Sequence, residues 1–154
     1  MCPPIISTIC RMKVLFVCTG NMCRSPAAEK LLLHYGAGRG FEARSRGTAA
    51  QPYSAMTEAV AEFLADEGVR GLSHKPALVR GEDIDWADLV VVMEEAHREL
   101  LAEHFPQSVR KTKKIMEFLG EDGDLEDPMG KDGEVYAAVM GRIKEAVGRI
   151  IEKT

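Results

Sequence analysis

Hydrophobic and polar positions follow two patterns along this chain: short apolar runs, and longer segments with apolar residues every three or four positions. The short runs, rich in β-branched residues, predict buried strands, and the longer periodicity predicts amphipathic helices. The predicted strands are residues 13–17, 41–45, 88–93 and 114–118. The predicted helices are residues 26–34, 54–67, 94–104 and 134–151. Strands therefore alternate with helices along the chain.

This alternation favours a parallel sheet wound in both directions, with helices on its two faces. Residues 88–93 are apolar enough to be buried on both faces, as a central parallel strand is. The length of 154 residues suits one domain with a full core. We predict a single α/β domain, a doubly wound four-stranded parallel sheet flanked by helices, Rossmann-like. Ligands of such sheets bind at the carboxyl ends of the strands.

Residues 1–12 precede the first strand and are predicted to be an N-terminal tail, disordered or added by a mis-assigned start codon, with the domain spanning residues 13–154. The segment is too short for a secretion signal and lacks its charged start. All four cysteines lie before residue 24, and Cys2 and Cys10 belong to this tail. Because this distribution does not fit a disulfide-stapled secreted domain, we predict a reducing compartment and a cytoplasmic protein.

Composition narrows the classes of partner. The chain has 45% hydrophobic and 29% charged residues, as soluble globular proteins do, and its net charge of −4 gives no support for a nucleic-acid partner. The basic run at residues 110–114 is short and indicates a solvated approach to a strand. No apolar stretch reaches the roughly 18 residues that span a membrane. We expect neither a nucleic-acid nor a membrane partner.

The loop after the first predicted strand contains the most informative residues of the chain: Cys18, Thr19, Gly20, Asn21, Met22, Cys23, Arg24 and Ser25. Ser25 and Pro26 predict a helix start, where backbone N–H groups and the positive helix end attract an anion. Such a field also favours a cysteine thiolate, which makes Cys18 a candidate nucleophile. The guanidinium of Arg24 can bind two phosphoryl oxygens at once. We call residues 18–25 the phosphate loop.

This loop and Pro26 resemble the signature C-x-G-N-x-C-R-S-P of the low-molecular-weight protein tyrosine phosphatases, and nearly all of residues 12–154 fit that family in length. The resemblance implies a cysteine-dependent hydrolase that acts on a phosphorylated protein or peptide through a phosphocysteine, without a cofactor or metal. It also implies that Asp127, in the pair Asp127-Pro128, protonates the leaving group and then activates water. An ordinary turn at this pair is the structural alternative.

Two further segments resemble parts of the family that support the loop. Ser45 precedes Arg46, where the family has alanine, and the resemblance implies that Ser45 hydrogen-bonds Asn21. His74 is implied to join the same network, although a lone histidine is often only a structural residue. Both are predicted to orient the loop rather than to react.

The remaining cysteine and histidines have simpler interpretations. Oxidised Cys18 can be trapped as a disulfide with Cys23, or Cys23 is a passive packing residue. No Cys/His cluster supports a metal site. His34, His97 and His104 are therefore interpreted as solvated helix residues.

Three residues are candidates for the substrate pocket: Met22, Tyr53 and Met129. Phosphotyrosine members of the family commonly have an aromatic residue where this chain has Met129. Phosphoarginine phosphatases of the same fold carry threonine at the position of Met22, where tyrosine-specific members have a branched aliphatic residue. Because Met22 is apolar and bulky, we expect phosphotyrosine, with phosphoarginine as the alternative. Tyr53 is a candidate for ring contact or an ordinary surface tyrosine.

Two other activities are disfavoured. A thiol-relay arsenate reductase needs two further cysteines in the middle of the chain, and none follows Cys23. A sugar-transport phosphocarrier needs a cysteine after the first strand but has no use for Arg24 or the Asp127-Pro128 pair. The sequence leaves the oligomeric state open, and we favour a monomer.

Overall fold

The computed structural model describes residues 11–154 of the chain. Residues 1–10, with Cys2 and Cys10, lie outside the described residues, and so does most of the predicted tail. Met12, which we assigned to that tail, is instead the first residue of the first strand.

The described residues form four strands that alternate with five α-helices. The strands are β1 (Met12–Cys18), β2 (Phe41–Gly47), β3 (Leu89–Val92) and β4 (Thr112–Lys114). The α-helices are α1 (Arg24–Tyr35), α2 (Glu58–Asp66), α3 (Gly81–Trp86), α4 (Glu95–His104) and α5 (Gly133–Lys153). Two 3-10 helices span Pro106–Lys111 and Ile115–Leu119. All strand pairs are parallel in the order β2-β1-β3-β4, which confirms the predicted doubly wound sheet.

The sheet is buried on both faces. Side chains of β1 alternate between two apolar clusters, with Val14 and Phe16 on the face that α1 and α5 cover. Leu15 and Val17 belong to the cluster on the other face, together with residues of α3 and α4. This two-sided burial explains the unbroken apolar run of β1. Cys18, the last residue of the strand, belongs to the same cluster as Val14 and Phe16.

The apolar run after residue 113 was assigned wrongly. We predicted a strand at 114–118, whereas the strand is Thr112–Lys114 and the next five residues form a 3-10 helix. In that helix Ile115, Met116 and Phe118 are all buried. A run of apolar residues has no periodicity that separates a buried strand from a buried helical turn.

Helix starts also differ from the prediction. The first helix begins at Arg24 with Cys23 as its N-cap residue, not at Pro26 after a Ser25 cap. The hydroxyl of Ser25 instead contacts the side chains of Cys18 and Asn21 in the phosphate loop. The second helix begins at Glu58 rather than Ser54. The short helix α3 and the 3-10 helix at 106–111 were not predicted.

The unpredicted helix α3 brings a buried carboxylate to the edge of the sheet. The Asp83 side chain accepts hydrogen bonds from Arg44 Nη1 at 3.1 Å, Arg46 Nε at 3.2 Å and the backbone N–H of Arg80 at 3.0 Å. The Arg44 guanidinium also lies 4.2 Å from the centre of the Trp86 ring. Asp83 therefore links α3 to the part of β2 that contains Arg44 and Arg46.

Asp83→Asn is expected to lower the free energy of unfolding by about 2 kcal/mol, because two guanidinium groups lose their shared counter-charge. Both arginine side chains keep partial access to water, which limits the loss. Urea unfolding measures it, with Glu82→Gln, an exposed carboxylate of the same helix, as the matched control. Equal stabilities of the two variants would contradict the prediction.

Candidate active site

The Cys18 thiol lies at the carboxyl end of β1 and is held by Ser25. Cys18 Sγ is 2.9 Å from Ser25 Oγ, and the residue is 2% exposed. Asn21 Nδ2 donates to the same Ser25 oxygen at 2.8 Å. Because the hydroxyl accepts from Asn21, it can donate its own hydrogen either to the sulfur or to the Arg46 carbonyl 3.4 Å away, and the sulfur is the nearer acceptor. This geometry suits a hydroxyl that stabilises a thiolate.

Asn21 forms the turn of the loop. Its φ of 57° lies in the left-handed region, which asparagine tolerates better than most residues. His74 Nε2 donates to the Asn21 carbonyl at 2.8 Å, and Asn21 Oδ1 accepts from the Ala77 backbone N–H at 3.0 Å. The structure therefore brings His74 to the phosphate loop. It holds the turn from outside and does not line the cavity.

Ser45 does not make the predicted bond to Asn21. Its hydroxyl donates to Glu29 Oε1 at 2.5 Å. The residue lies on β2, and Glu29 lies on the neighbouring helix α1. The Asn21 amide has its own partners in the loop and at Ala77. Ser45 therefore links β2 to α1 and touches the loop only through those elements.

The end of β2 supports the phosphate loop by its backbone. The N–H groups of Thr48 and Ala49 donate to the carbonyls of Cys18 and Thr19, both at 2.9 Å. At Gly47 a Cβ atom would lie only 2.5 Å from the Thr19 carbonyl oxygen. Only glycine permits so close a backbone approach, so this position fixes the distance between β2 and the loop.

Arg24 is buried, with 1% of its surface exposed, and anchored by one nitrogen. Its Nη1 donates to Glu94 Oε2 at 2.6 Å and to the Leu125 carbonyl at 2.7 Å. Its Nη2 lies 3.7 Å from Asp127 Oδ2. Because Nη1 carries both anchoring bonds, Nη2 remains on the cavity side for an anion. Sequence reasoning missed Glu94, although it follows the carboxyl end of β3, where ligand-binding residues are expected.

One cavity of about 170 Å³ joins the predicted reactive residues. Among the described residues, those that line it are Cys18, Thr19, Gly20, Met22, Cys23, Arg24, Asp127 and Met129. Tyr53 is not among them and is 85% exposed, so of its two interpretations the surface tyrosine fits. The other two pocket candidates, Met22 and Met129, line the cavity with sulfur-containing apolar side chains.

Asp127 and Met129 lie on the loop that closes this cavity. Asp127 Oδ1 accepts from the Met129 backbone N–H at 3.0 Å, an Asx turn that orients the carboxyl group. The Met129 sulfur accepts from Tyr136 Oη, on α5, at 3.6 Å. The Asp127-Pro128 pair therefore forms a turn, and the same turn directs a carboxyl group into the cavity.

Cys23 is a buried free thiol beside Thr57 and Tyr136. Its Sγ lies 3.6 Å from Thr57 Oγ1 and 3.6 Å from Tyr136 Oη. Burial raises the pKa of the Cys23 thiol, the main cause in a set that includes opposing hydrogen bonds. The thiol is therefore protonated at neutral pH. Cys18 is also a free cysteine, so disulfide formation between the two stays a prediction.

His97 is buried, not solvated as we expected. Its Nδ1 accepts from the Glu94 backbone N–H at 3.1 Å, and its Nε2 lies 2.8 Å from Thr19 Oγ1. Burial lowers the pKa of His97, and the positive charge of Arg24 lowers it further. Glu94 and His97 cap each other reciprocally at the start of α4, but the pair does not match the Ser/Thr-x-x-Glu/Gln signature of such caps, so this contact could not be predicted from the sequence.

The arrangement can hold a phosphoryl group and exchange it. The buried thiol of Cys18, the buried guanidinium of Arg24 and the half-exposed carboxyl group of Asp127 line one small cavity. Within residues 11–154, no group of three or more His, Cys, Asp or Glu side chains is arranged to bind a metal ion. In that same range, no helix combines the length and hydrophobicity of a membrane-spanning segment.

Comparison with known proteins identifies relatives over nearly the whole chain. The model of the low molecular weight phosphotyrosine protein phosphatase family matches residues 13–154. A protein-arginine-phosphatase of Geobacillus stearothermophilus is 36% identical over 142 residues, covering 92% of this chain and 95% of the relative. The low molecular weight protein-tyrosine-phosphatase PtpB of Staphylococcus epidermidis is 30% identical over 142 residues, covering 90% and 96%. The structure of a low molecular weight protein tyrosine phosphatase from T. tengcongensis is similar with a TM-score of 0.87 and 37% identity, covering 93% of this chain and 99% of that one.

Proposed function

The chain belongs to the low molecular weight phosphotyrosine protein phosphatase family, and from this we propose that it dephosphorylates phosphotyrosine in proteins through a phosphocysteine at Cys18. The observation that carries the proposal is that Cys18, Arg24 and Asp127 line one cavity. The family membership confirms the resemblance deduced from the phosphate loop. The roles of the individual residues are the part that we propose.

In the first step the Cys18 thiolate attacks phosphorus, a sulfur–phosphorus bond forms, and the bond to the leaving oxygen breaks. The electron pair of that bond stays on the leaving oxygen, which takes a proton from Asp127. Arg24 Nη2 and the backbone N–H groups of the loop bind the non-bridging oxygens, whose charge is redistributed in the transition state. Burial of Arg24 strengthens this interaction because little water competes for the guanidinium.

In the second step the Asp127 carboxylate takes a proton from a water molecule, which attacks phosphorus and breaks the sulfur–phosphorus bond. Inorganic phosphate leaves, and the electron pair returns to Cys18 as a thiolate. The hydroxyl of Ser25, 2.9 Å from the sulfur, stabilises this thiolate as a leaving group. One carboxyl group therefore acts first as an acid and then as a base.

The apolar side chains at the mouth support an aromatic substrate. Met22 and Met129 flank the cavity, and thioether groups make favourable contacts with aromatic rings. Met129 is 44% exposed, which leaves it accessible to an entering side chain. A phosphotyrosine ring between the two methionines places its phosphate at Cys18.

Phosphoarginine is a second candidate substrate. It is favoured by the 36% identity with a relative named as a protein-arginine-phosphatase. The carboxyl group of Asp127 at the cavity mouth also suits a guanidinium. Met22 disfavours phosphoarginine as the substrate, because an apolar side chain cannot hydrogen-bond the guanidinium N–H groups.

A direct comparison of two peptides tests the substrate. We expect kcat/KM for a phosphotyrosine peptide to exceed that for a phosphoarginine peptide of the same flanking sequence by about tenfold or more, a difference of about 1.4 kcal/mol. Met22→Thr is expected to narrow this ratio. The control Tyr53→Ala, at an exposed position outside the cavity, is expected to leave it unchanged.

Each outcome has a definite meaning. If the unmodified protein prefers the phosphoarginine peptide, phosphoarginine replaces phosphotyrosine as the proposed substrate. Turnover of neither peptide, or turnover that survives Cys18→Ser, would show that the phosphatase proposal is wrong.

We also propose a cytoplasmic, monomeric enzyme. The position of all four cysteines before residue 24 supports a reducing compartment. The three reactive side chains belong to one chain, which supports a site that needs no partner subunit.

A further inference from the structure

The buried imidazole of His97 touches the phosphate loop but takes no part in the two proposed steps. The residue is 3% exposed and lies in the first turn of α4. Its Nε2 is 2.8 Å from the hydroxyl of Thr19, the residue that follows Cys18. Thr19 itself is exposed and lines the cavity. A buried side chain thus holds an exposed residue beside the nucleophile.

The surroundings of the ring fix which nitrogen carries the proton. Nδ1 accepts a hydrogen bond from the Glu94 backbone N–H at 3.1 Å, so it has no proton of its own. The neutral ring then carries its proton on Nε2, which donates to Thr19 Oγ1. The lowered pKa of His97 agrees with a neutral ring at neutral pH.

The same turn of α4 also holds the other end of the loop. The Glu94 carboxylate accepts from Arg24 Nη1 at 2.6 Å, while its backbone N–H caps the His97 ring. Thr19 and Arg24 are therefore both bonded to one helical turn, on either side of the anion-binding amides. A helical turn outside the loop therefore holds a residue near each end of it.

We propose that His97 is a positioning residue for the phosphatase reaction, and that it acts through the Nε2–H bond that holds Thr19 at the start of the phosphate loop. The inference rests on the proposed function, because a position is important only if the loop binds a phosphoryl group. Within the described part of the chain, the hydrogen bond that remains to Thr19 without this contact is the one its carbonyl accepts from the Ala49 backbone N–H. The amides beside Cys18 then sample orientations that fit phosphate less well.

Two substitutions separate the functions of the two ring nitrogens. The amide nitrogen of glutamine can occupy the position of Nε2, so His97→Gln keeps a donor for Thr19. The shorter asparagine places its amide oxygen near the position of Nδ1, so His97→Asn keeps the Glu94 cap and loses the bond to Thr19. Both variants remove the ring from its buried site. His104→Asn, at the exposed end of the same helix, is the matched control.

Steady-state hydrolysis of para-nitrophenyl phosphate and inhibition by inorganic phosphate are the measurements. We expect His97→Asn to lower kcat/KM about tenfold and to raise the inhibition constant of phosphate, as loss of one hydrogen bond to the site predicts. His97→Gln and His104→Asn are expected to stay within about threefold of the unmodified protein. Thr19→Val, which removes the acceptor, is expected to match His97→Asn, and the double variant to be no worse than either.

The results distinguish this inference from the proposed function. Thermal unfolding of all variants shows whether they are folded. A merely structural role of His97 would lower activity equally in His97→Asn and His97→Gln, and that outcome would overturn the inference. So would full activity of His97→Asn or additive losses in the double variant. Turnover that does not depend on Cys18 would overturn the proposed function, and the inference with it.

Discussion

Cys18→Ser is expected to lower kcat by at least about 10⁴-fold, the scale of loss when a catalytic nucleophile is removed. A serine hydroxyl does not ionise at neutral pH, and an alkoxide is a far poorer leaving group than a thiolate in the second step. The substitution changes one buried atom that contacts Ser25 Oγ, so the loop keeps its shape. Steady-state turnover of a phosphotyrosine peptide measures the loss, and isothermal titration with phosphate shows that anion binding persists.

Cys23→Ser is the matched control for this prediction. Cys23 lies in the same loop, but burial raises the pKa of its thiol, so it is protonated and weakly nucleophilic at neutral pH. We expect its replacement to keep kcat within about tenfold, a change that covers the disturbed packing beside Tyr136. A large loss in Cys23→Ser with little loss in Cys18→Ser would assign the reaction to the other cysteine.

The features that could be predicted from the sequence are those that depend on short contiguous segments of the chain. β1, the phosphate loop and α1 are contiguous, so the apolar run and the Cys18–Ser25 spacing were enough to identify them. The parallel, doubly wound sheet followed from the alternation of strands and helices, since such crossovers have few alternatives. The order of its strands, β2-β1-β3-β4, was not predicted. Asp127 was predicted to be the acid from the family resemblance that the Asp127-Pro128 pair carries, and this role stays a prediction.

The features that could not be predicted depend on pairs distant in sequence. The Arg24–Glu94 bond joins residues 70 positions apart, and no periodicity encodes it. The hydrogen-bond partner of Ser45 depends on which element packs against that part of β2. This element is α1, and the partner is its residue Glu29. His97 was interpreted as a solvated helix residue, whereas tertiary packing against the loop buries it. A polar side chain can be buried at low cost only where a partner forms hydrogen bonds with it, and that partner is set by the tertiary fold.

Asp127→Asn is expected to lower kcat by about 10²- to 10³-fold for phosphotyrosine peptides, because the phenolate leaving group and the attacking water both need a proton transfer. Asparagine keeps the size of the side chain and its bond to the Met129 backbone N–H, so the loop is retained. Single-turnover measurements resolve the two steps. The burst of released tyrosine peptide reports phosphocysteine formation, and the later release of phosphate reports its hydrolysis.

The leaving group separates the role of Asp127 as an acid from a role in loop structure. With para-nitrophenyl phosphate, whose leaving group is stable as an anion, formation of the phosphocysteine needs no proton donor. We therefore expect Asp127→Asn to slow that step less for this ester than for the peptide, while its hydrolysis remains slow in both cases, since both pass through the same phosphocysteine. Asp122→Asn, an exposed carboxylate earlier in the same segment, is the control and is expected to leave both steps unchanged. Equal slowing of the first step for both substrates would mean that Asp127 shapes the cavity rather than donating a proton.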